Sequence, residues 1–120
     1  FTYVRAGHDE PLYVRNDAST EFVGGKGRFL GLWRESTPTF ERCQIAMAPG
    51  DTMVIYSDGV TDMRNMQGEP FGRDRMASLA KNIRIYDADR IARSIHSVVQ
   101  SHRGPADAFD DFTLLVMRAE

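Results

Sequence analysis

Hydrophobic and polar residues alternate in several short stretches of this 120-residue chain, which is the pattern typical of β-strands. The first two stretches, Phe1–Ala6 and Leu12–Arg15, are rich in β-favouring residues. The sequence GHDEP between them contains glycine and proline, which favour turns. The pattern therefore predicts that these two strands form a hairpin.

A second pair of strands is predicted on either side of the sequence APGD. Glu41–Ala48 alternates, with Cys43 on the same face as two other apolar residues, so we expect a buried thiol at this position. Thr52–Tyr56 is a run of β-favouring residues. Because a Pro-Gly turn joins the two stretches, we expect them to be antiparallel neighbours.

The second half of the chain changes to helical spacing. One apolar face recurs from Met76 to Ile83 and another from Ile91 to Val99, the latter behind an expected N-cap at Asp87. The chain then closes with a predicted strand in which alternate residues share one face: Phe112, Leu114 and Val116. Strands, two consecutive helices and a final strand predict the α+β class.

Composition excludes several functional classes. With 42% apolar residues the chain suits one small domain, and a formal net charge of -2 gives no electrostatic basis for binding nucleic acid. No apolar run is long enough to span a bilayer, so no membrane association is expected. The single cysteine fits a reducing compartment, and we expect a cytoplasmic protein.

Acidic residues are predicted to meet at one edge of the sheet. Asp58 follows the end of one strand, whereas Asp110 and Asp111 precede the start of another. If those strands are antiparallel neighbours, the carboxylates lie together, and oxygen ligands of this kind suit Mg²⁺ or Mn²⁺. Gly59 has no Cβ and would let a metal or solvent approach the backbone. From spacing alone, a simple Asp-Gly turn remains the favoured alternative.

Other catalytic and ligand-binding motifs do not fit. The segment GGKGRFLGLW, residues 24–33, is expected to be a loop but lacks the spacing of a phosphate-binding loop, and Trp33 is expected to belong to the core. Cys43 does not begin a cysteine phosphatase loop, and Ser57 lacks a nucleophile elbow, so we interpret Ser57 as structural. The sequence DGVTDMRNMQGE lacks the ligand spacing of a calcium-binding EF-hand.

Four separated blocks carry a resemblance to a known family. AGHDEPLYV, LGL, PGDTMVIYSDGVTDMRNMQGEPFG and DDFTLLVMR occur in the order seen in bacterial PPM/PP2C-type serine/threonine phosphatases of the SpoIIE/RsbU group. The resemblance covers nearly the whole chain. It implies a β-sandwich flanked by helices, with a binuclear Mn²⁺ or Mg²⁺ centre at one edge of the sandwich.

The resemblance assigns roles to individual residues of the candidate site. By motif position Asp58 and Asp110 resemble metal ligands, with Gly59 beside the metal. Asp111 is second in rank, as an orienting or alternative ligand. Two residues are accessory candidates, each with an ordinary structural role as the alternative: Asp62, as a helix cap or salt-bridge partner, and His8, as a turn histidine.

The resemblance also implies that residues 1–120 are the C-terminal part of the catalytic domain. The chain begins inside an apparent strand, and an earlier aspartate block that completes the metal site in this group does not occur in it. We therefore expect a phosphatase in the parent protein and little or no activity in this piece. Exposed sheet surface would then favour a homodimer.

The implied substrate is phosphoserine or phosphothreonine on a regulatory protein, such as an anti-sigma-factor antagonist. A sensor or receiver domain would precede the phosphatase domain in the parent chain. The competing interpretation is a catalytically silent phosphatase-like module that serves regulation or dimerisation.

Overall fold

The structure is a computed structural model that describes residues 1–31, 40–107 and 110–120. Within those ranges the chain forms six strands and three helices. In chain order they are β1 (Thr2–Val4), β2 (Leu12–Val14), β3 (Thr20–Phe22), β4 (Arg42–Gln44), β5 (Thr52–Tyr56), α1 (Asp58–Thr61), α2 (Arg73–Ile83), α3 (Ala88–Arg103) and β6 (Leu114–Arg118).

A four-stranded antiparallel sheet, in the order β3-β2-β5-β6, is the centre of the fold. Strand β5 is buried between β2 and β6 and pairs with β6 from Thr52 opposite Arg118 to Tyr56 opposite Leu114. This register places the end of β5 beside the start of β6, which is the arrangement on which the predicted acidic edge depends.

One face of this sheet packs against the two long helices. The alternation within β2 and β5 directs Leu12, Val14, Val54 and Tyr56 to this side. They meet the apolar stripes of α2 and α3, and the helix residues buried there are Met76, Ala80, Ile91, Ile95 and Val99. This cluster is the larger of the two hydrophobic cores.

The opposite face packs against a small two-stranded sheet made of β1 and β4. Tyr13 and Met53 point to this side, because they alternate with the residues that face the helices. Partly buried side chains from the small sheet and its flanks pack on them, among them Tyr3, Ile45 and Met47. The molecule therefore has a helical layer and a small sheet on the two sides of the main sheet, which confirms the α+β class.

The predicted pairing of the first two strands is wrong. Strand β1 pairs with β4, Tyr3 lying opposite Cys43, and β2 pairs with β3 and β5 instead. Gly7 turns with a φ of 81°, so the chain does reverse between the strands, but it passes from one sheet to the other. The sequence GHDEP does form a turn, but a turn alone does not specify which strands pair.

The predicted pairing of Glu41–Ala48 with the Thr52 strand is wrong for the same reason, since β4 and β5 lie in different sheets. The alternation itself is confirmed, because Cys43, Ile45 and Met47 are all less exposed than their neighbours. The expected buried thiol is wrong: Cys43 is only partly buried, since β4 belongs to a sheet of two strands. Strand β3 was not predicted.

The helical segments and the closing strand match their predictions. The side chain of Asp87 accepts a hydrogen bond from the backbone N–H of Arg90 at 2.7 Å, which confirms the expected N-cap of α3. Phe112, Leu114 and Val116 pack on the helix-facing core, as the alternation indicated. In the described ranges we find no helix with the length and apolar character needed to cross a membrane. Trp33 lies outside the described residues.

Candidate functional site

The candidate site begins where β5 ends. Ser57 has an extended backbone, and the chain then enters the one-turn helix α1, which starts at Asp58. Spacing alone favoured a turn, but the structure shows a short helix, because the backbone N–H of Asp62 reaches the carbonyl oxygen of Asp58 at 2.7 Å. Asp62 thus caps the end of α1 through its backbone, while its side chain is exposed.

Ser57 connects this turn to the start of β6. Its hydroxyl donates to the carbonyl oxygen of Asp111 at 3.0 Å and accepts from the backbone N–H of Thr113 at 3.1 Å. Its own backbone N–H donates to the carbonyl oxygen of Thr113 at 3.0 Å. These three hydrogen bonds hold the segment before Asp58 against the Asp110–Asp111 pair, which is the structural role predicted for Ser57.

Gly59 makes the closest approach between the two segments. It is buried, and a Cβ at this position would overlap the carbonyl oxygen of Asp111. Only glycine fits here without displacing the neighbouring backbone. The sequence signal DG, which by itself favoured a turn, marks a close backbone contact in the structure.

The structure brings the acidic residues of the two segments to the same sheet edge. Asp58, Asp110 and Asp111 are exposed. Asp110 accepts the backbone N–H of Asp111 at 2.7 Å, and no described residue donates a hydrogen bond to the carboxylate of Asp58. The carboxylate of Asp58 is therefore open to solvent on the described part of the chain.

The chemistry of these donors fits a hard cation, although their grouping is incomplete. Carboxylate and backbone carbonyl oxygens are ligands that Mg²⁺ and Mn²⁺ accept. However, the described part of the chain contains no group of three or more His, Cys, Asp or Glu side chains that could hold a metal ion. A metal at this edge would thus need water or ligands beyond the described residues in addition to these oxygens.

A cleft of about 410 Å³ opens beside Asp58. The loop that follows β1 forms its opposite wall, and its lining residues are Ala6, Gly7, His8, Asp9, Phe29, Ser57 and Asp58. The structure therefore brings His8, an accessory candidate, into the same cleft as Asp58. The Nδ1 atom of His8 lies 3.0 Å from the carbonyl oxygen of Asp9 and donates to it, in keeping with the turn-histidine alternative.

Two residues of the cleft were not singled out from the sequence. Asp9 lies directly after His8, and Phe29 belongs to the glycine-rich segment that was expected to be a loop. The ring of Phe29 covers Gly7 so closely that a Cβ on Gly7 would meet the ring, and Gly7 has a φ of 81°. Gly7 therefore marks a place where two segments pack closely, but the spacing of apolar residues could not show that Phe29 is its neighbour.

Tyr56 lies immediately before this edge and is unsuited to proton transfer near neutral pH. Burial of its ring raises the pKa of the phenol to about 12, an effect that the nearby Arg73 only partly opposes. Tyr56 therefore stays protonated and belongs to the hydrophobic core beside the site.

Comparison of the sequence with known proteins identifies its relatives. The family model for Stage II sporulation protein E (SpoIIE) matches residues 1–120. The chain is 31% identical over 118 residues to Protein IcfG of Synechocystis sp., covering 97% of this chain and 18% of that protein. It is 28% identical over 119 residues to Phosphoserine phosphatase RsbU of Bacillus subtilis, covering 98% of this chain and 34% of RsbU. The chain thus spans about a third or less of the length of these relatives.

The fold has a close counterpart among solved structures. The SiaA-PP2C domain of Pseudomonas aeruginosa superposes with a TM-score of 0.82 at 22% sequence identity, covering 99% of this chain and 47% of that one. The resemblance of the sequence to PP2C-type phosphatases is therefore confirmed at the level of the fold.

Proposed function

This chain belongs to the SpoIIE family, and on that premise we propose that it is part of a metal-dependent phosphatase that acts on phosphoserine or phosphothreonine of a regulatory protein. Membership of a family that includes PP2C-type phosphatases supports phosphatase function in general. The observation that carries the proposal is the convergence of two acidic segments: Ser57 and Gly59 hold the Asp58 turn directly against Asp110–Asp111, beside an open cleft.

In this proposal Asp58 and Asp110 are the metal ligands contributed by this chain. The hydrogen bond from the Ser57 hydroxyl to Asp111 and the close approach of Gly59 to Asp111 hold the two segments together, which supports this assignment. Gly59 lets the two segments approach each other closely beside the proposed metal, and Asp111 orients Asp110 or replaces it as a ligand. When bound, Mn²⁺ or Mg²⁺ supplies a water of lowered pKa and positive charge for the phosphoryl oxygens.

Of the two accessory residues, His8 is a stronger candidate for the site than Asp62. His8 lines the cleft with Asp58, so it is placed to contact a ligand or to donate a proton. Asp62 is the weaker candidate, because it caps α1 and is not among the residues that line this cleft. We propose that the remaining metal ligands come from parts of the parent protein beyond the described residues. The two relatives support this, because this chain covers only 18% and 34% of their length.

The proposed substrate is a phosphorylated regulatory protein, of which an anti-sigma-factor antagonist is one example. The similarity to a phosphoserine phosphatase supports this substrate class. We further propose a sensor or receiver domain upstream in the parent, a cytoplasmic location, and pairing of two copies through exposed sheet surface.

The test is hydrolysis of p-nitrophenyl phosphate by the parent-length protein in Mn²⁺ and in Mg²⁺. We expect Asp58→Asn and Asp110→Asn each to reduce kcat/KM by about 100-fold or more, since each removes a charged ligand. Asp89→Asn is the matched control: it removes an exposed carboxylate whose partner is Arg93 on α3, and its activity should stay within about twofold. Full activity in both site variants would overturn the assignment of the ligands.

A catalytically silent phosphatase-like module that serves regulation or dimerisation is the second candidate. Mn²⁺ raises the melting temperature only of a protein that binds it preferentially in the folded state. A parent-length protein that hydrolyses neither p-nitrophenyl phosphate nor phosphoserine peptides, and that Mn²⁺ does not stabilise, would support the silent module. Activity that disappears in the Asp58 and Asp110 variants would exclude it.

A further inference from the structure

We propose that Arg73 is a positioning residue of the candidate site, because it anchors the loop that places His8 and Asp9 opposite Asp58. The inference rests on the proposed function for its catalytic consequence. Its structural part stands on the contacts of Arg73 alone.

Arg73 connects the start of α2 with a distant part of the chain. Its Nη2 atom lies 2.6 Å from Oε2 of Glu10, a residue 63 positions earlier. The guanidinium carbon also lies 3.9 Å from the centre of the Phe22 ring on β3. A guanidinium held by a carboxylate on one side and an aromatic face on the other has little freedom to move.

Glu10 lies near the end of the loop that forms one wall of the cleft, two residues before β2 begins at Leu12. Within this loop, His8 and Asp9 line the cleft and Glu10 is turned to Arg73. The other end of the loop is held by Arg5, whose Nη1 donates to the carbonyl oxygen of His8 at 2.8 Å and whose Nε donates to that of Gly25 at 3.0 Å. Arg73 of α2 therefore holds the loop through Glu10, and Arg5, which directly follows β1, ties the beginning of the loop to Gly25.

The Arg73–Glu10 pair is a poor candidate for a purely stabilising role. The side chains are 48% and 34% exposed, and ion pairs with this exposure contribute little to stability. A matched pair lies at the opposite end of β2, where Arg15 and Glu21 are 2.9 Å apart and 40% and 56% exposed. That pair touches no residue that lines the cleft. A difference in activity between variants of the two pairs would therefore reflect where the pair lies relative to the cleft, and not the loss of an ion pair as such.

The kinetic test compares Arg73→Gln with Arg15→Gln in the parent-length protein, using p-nitrophenyl phosphate and Mn²⁺. We expect Arg73→Gln to reduce kcat by about three- to tenfold with KM changed less than about twofold. The reason is that a displaced loop no longer holds His8 and Asp9 opposite Asp58 during the chemical step. Arg15→Gln should stay within about twofold in both constants. If Arg73 acts through Glu10, the double variant Glu10→Gln/Arg73→Gln should lose no more activity than either single variant.

A second measurement follows the loop itself and does not depend on activity. The backbone order parameters of Gly7–Glu10, measured by NMR relaxation, should fall in Arg73→Gln and remain unchanged in Arg15→Gln. Unchanged order parameters and unchanged kinetics in Arg73→Gln would overturn the inference. Lower order parameters with unchanged kcat would overturn the catalytic part of it. If the wild-type protein is inactive with either metal, the proposed function fails, and the order parameters still decide whether Arg73 holds the loop.

Discussion

Strand β5 has an aspartate at each end, and the two occupy opposite environments. Asp51 precedes the strand and is only 4% exposed. Its carboxylate accepts the backbone N–H of Asn16 at 2.8 Å, the backbone N–H of Ala48 at 2.9 Å and the hydroxyl of Tyr13. Asp58 follows the strand and is exposed, and within the described residues its carboxylate accepts no hydrogen bond.

The difference separates a buried carboxylate that joins parts of the fold from an exposed one that, in the described part of the chain, joins none. A buried charge is tolerated only when it is paired or hydrogen-bonded, and Asp51 meets that condition by joining two loops to β2. Burial alone would raise the pKa of Asp51, but its hydrogen bonds from Tyr13, Ala48 and Asn16 outweigh burial and lower it. Burial and the hydrogen bond to Asp51 both raise the pKa of Tyr13.

The largest effect on stability should come from exchanging the buried carboxylate for an amide. Asp51→Asn replaces one acceptor oxygen with an NH₂ group, so at least one buried donor loses its acceptor, and the free energy of unfolding should fall by about 2–3 kcal/mol. Asp58→Asn should change it by less than about 0.5 kcal/mol, because the side chain is exposed. Chemical denaturation of the parent-length protein measures both. Equal losses in the two variants would refute the comparison.

A smaller loss is expected at Gly59. Gly59→Ala would force its Cβ into the carbonyl oxygen of Asp111, and separating the two segments should cost about 1–2 kcal/mol while also lowering activity. Gly68→Ala is the matched control for a glycine-to-alanine change, since a Cβ there has no neighbour within 4 Å, although its φ of 79° adds local strain. Activity should stay normal in that variant. A Gly59→Ala protein with native stability and activity would show that the close contact is dispensable.

The smallest effect should appear in the pH dependence of the Asp51 comparison. Because the pKa of Asp51 is lower in the folded protein than in the unfolded chain, its contribution is complete above the unfolded value and is lost as the pH falls through the folded value. The stability difference between wild type and Asp51→Asn should thus be constant near neutrality and shrink below about pH 4, by at most about 1.4 kcal/mol per pH unit. Urea midpoints between pH 7 and pH 3 measure it. A difference that widens on acidification would contradict the prediction.

The elements that the sequence predicted well are those that depend on near neighbours. Asp87 caps α3 because its side chain reaches a backbone N–H three residues later, and the stripes of α2 and α3 depend on helical spacing. The acidic edge was also anticipated, since the pairing of β5 with β6 brings Asp58 close to Asp110 and Asp111. The roles of these residues as metal ligands stay a prediction.

The failures concern partners that are distant in the chain. Turn residues predicted a hairpin of β1 with β2 and another of β4 with β5. Instead, β1 pairs with β4, and β2 and β5 lie in the other sheet. Asp51 was not singled out at all, because its importance depends on Tyr13 and Asn16, which are more than 30 residues away. The connection between Arg73 and Glu10 has the same character.

The sequence by itself determined the α+β class, the helices, the alternating faces of the strands and the family resemblance. These follow from spacing of two to four residues and from short motifs, both of which are local properties of the chain. Only the tertiary structure decided which strands pair, which of the two aspartates flanking β5 is buried and which residues face Asp58 across the cleft. The physical reason is that strand pairing and burial are selected by the packing of the whole core, and several pairings are compatible with the same local pattern.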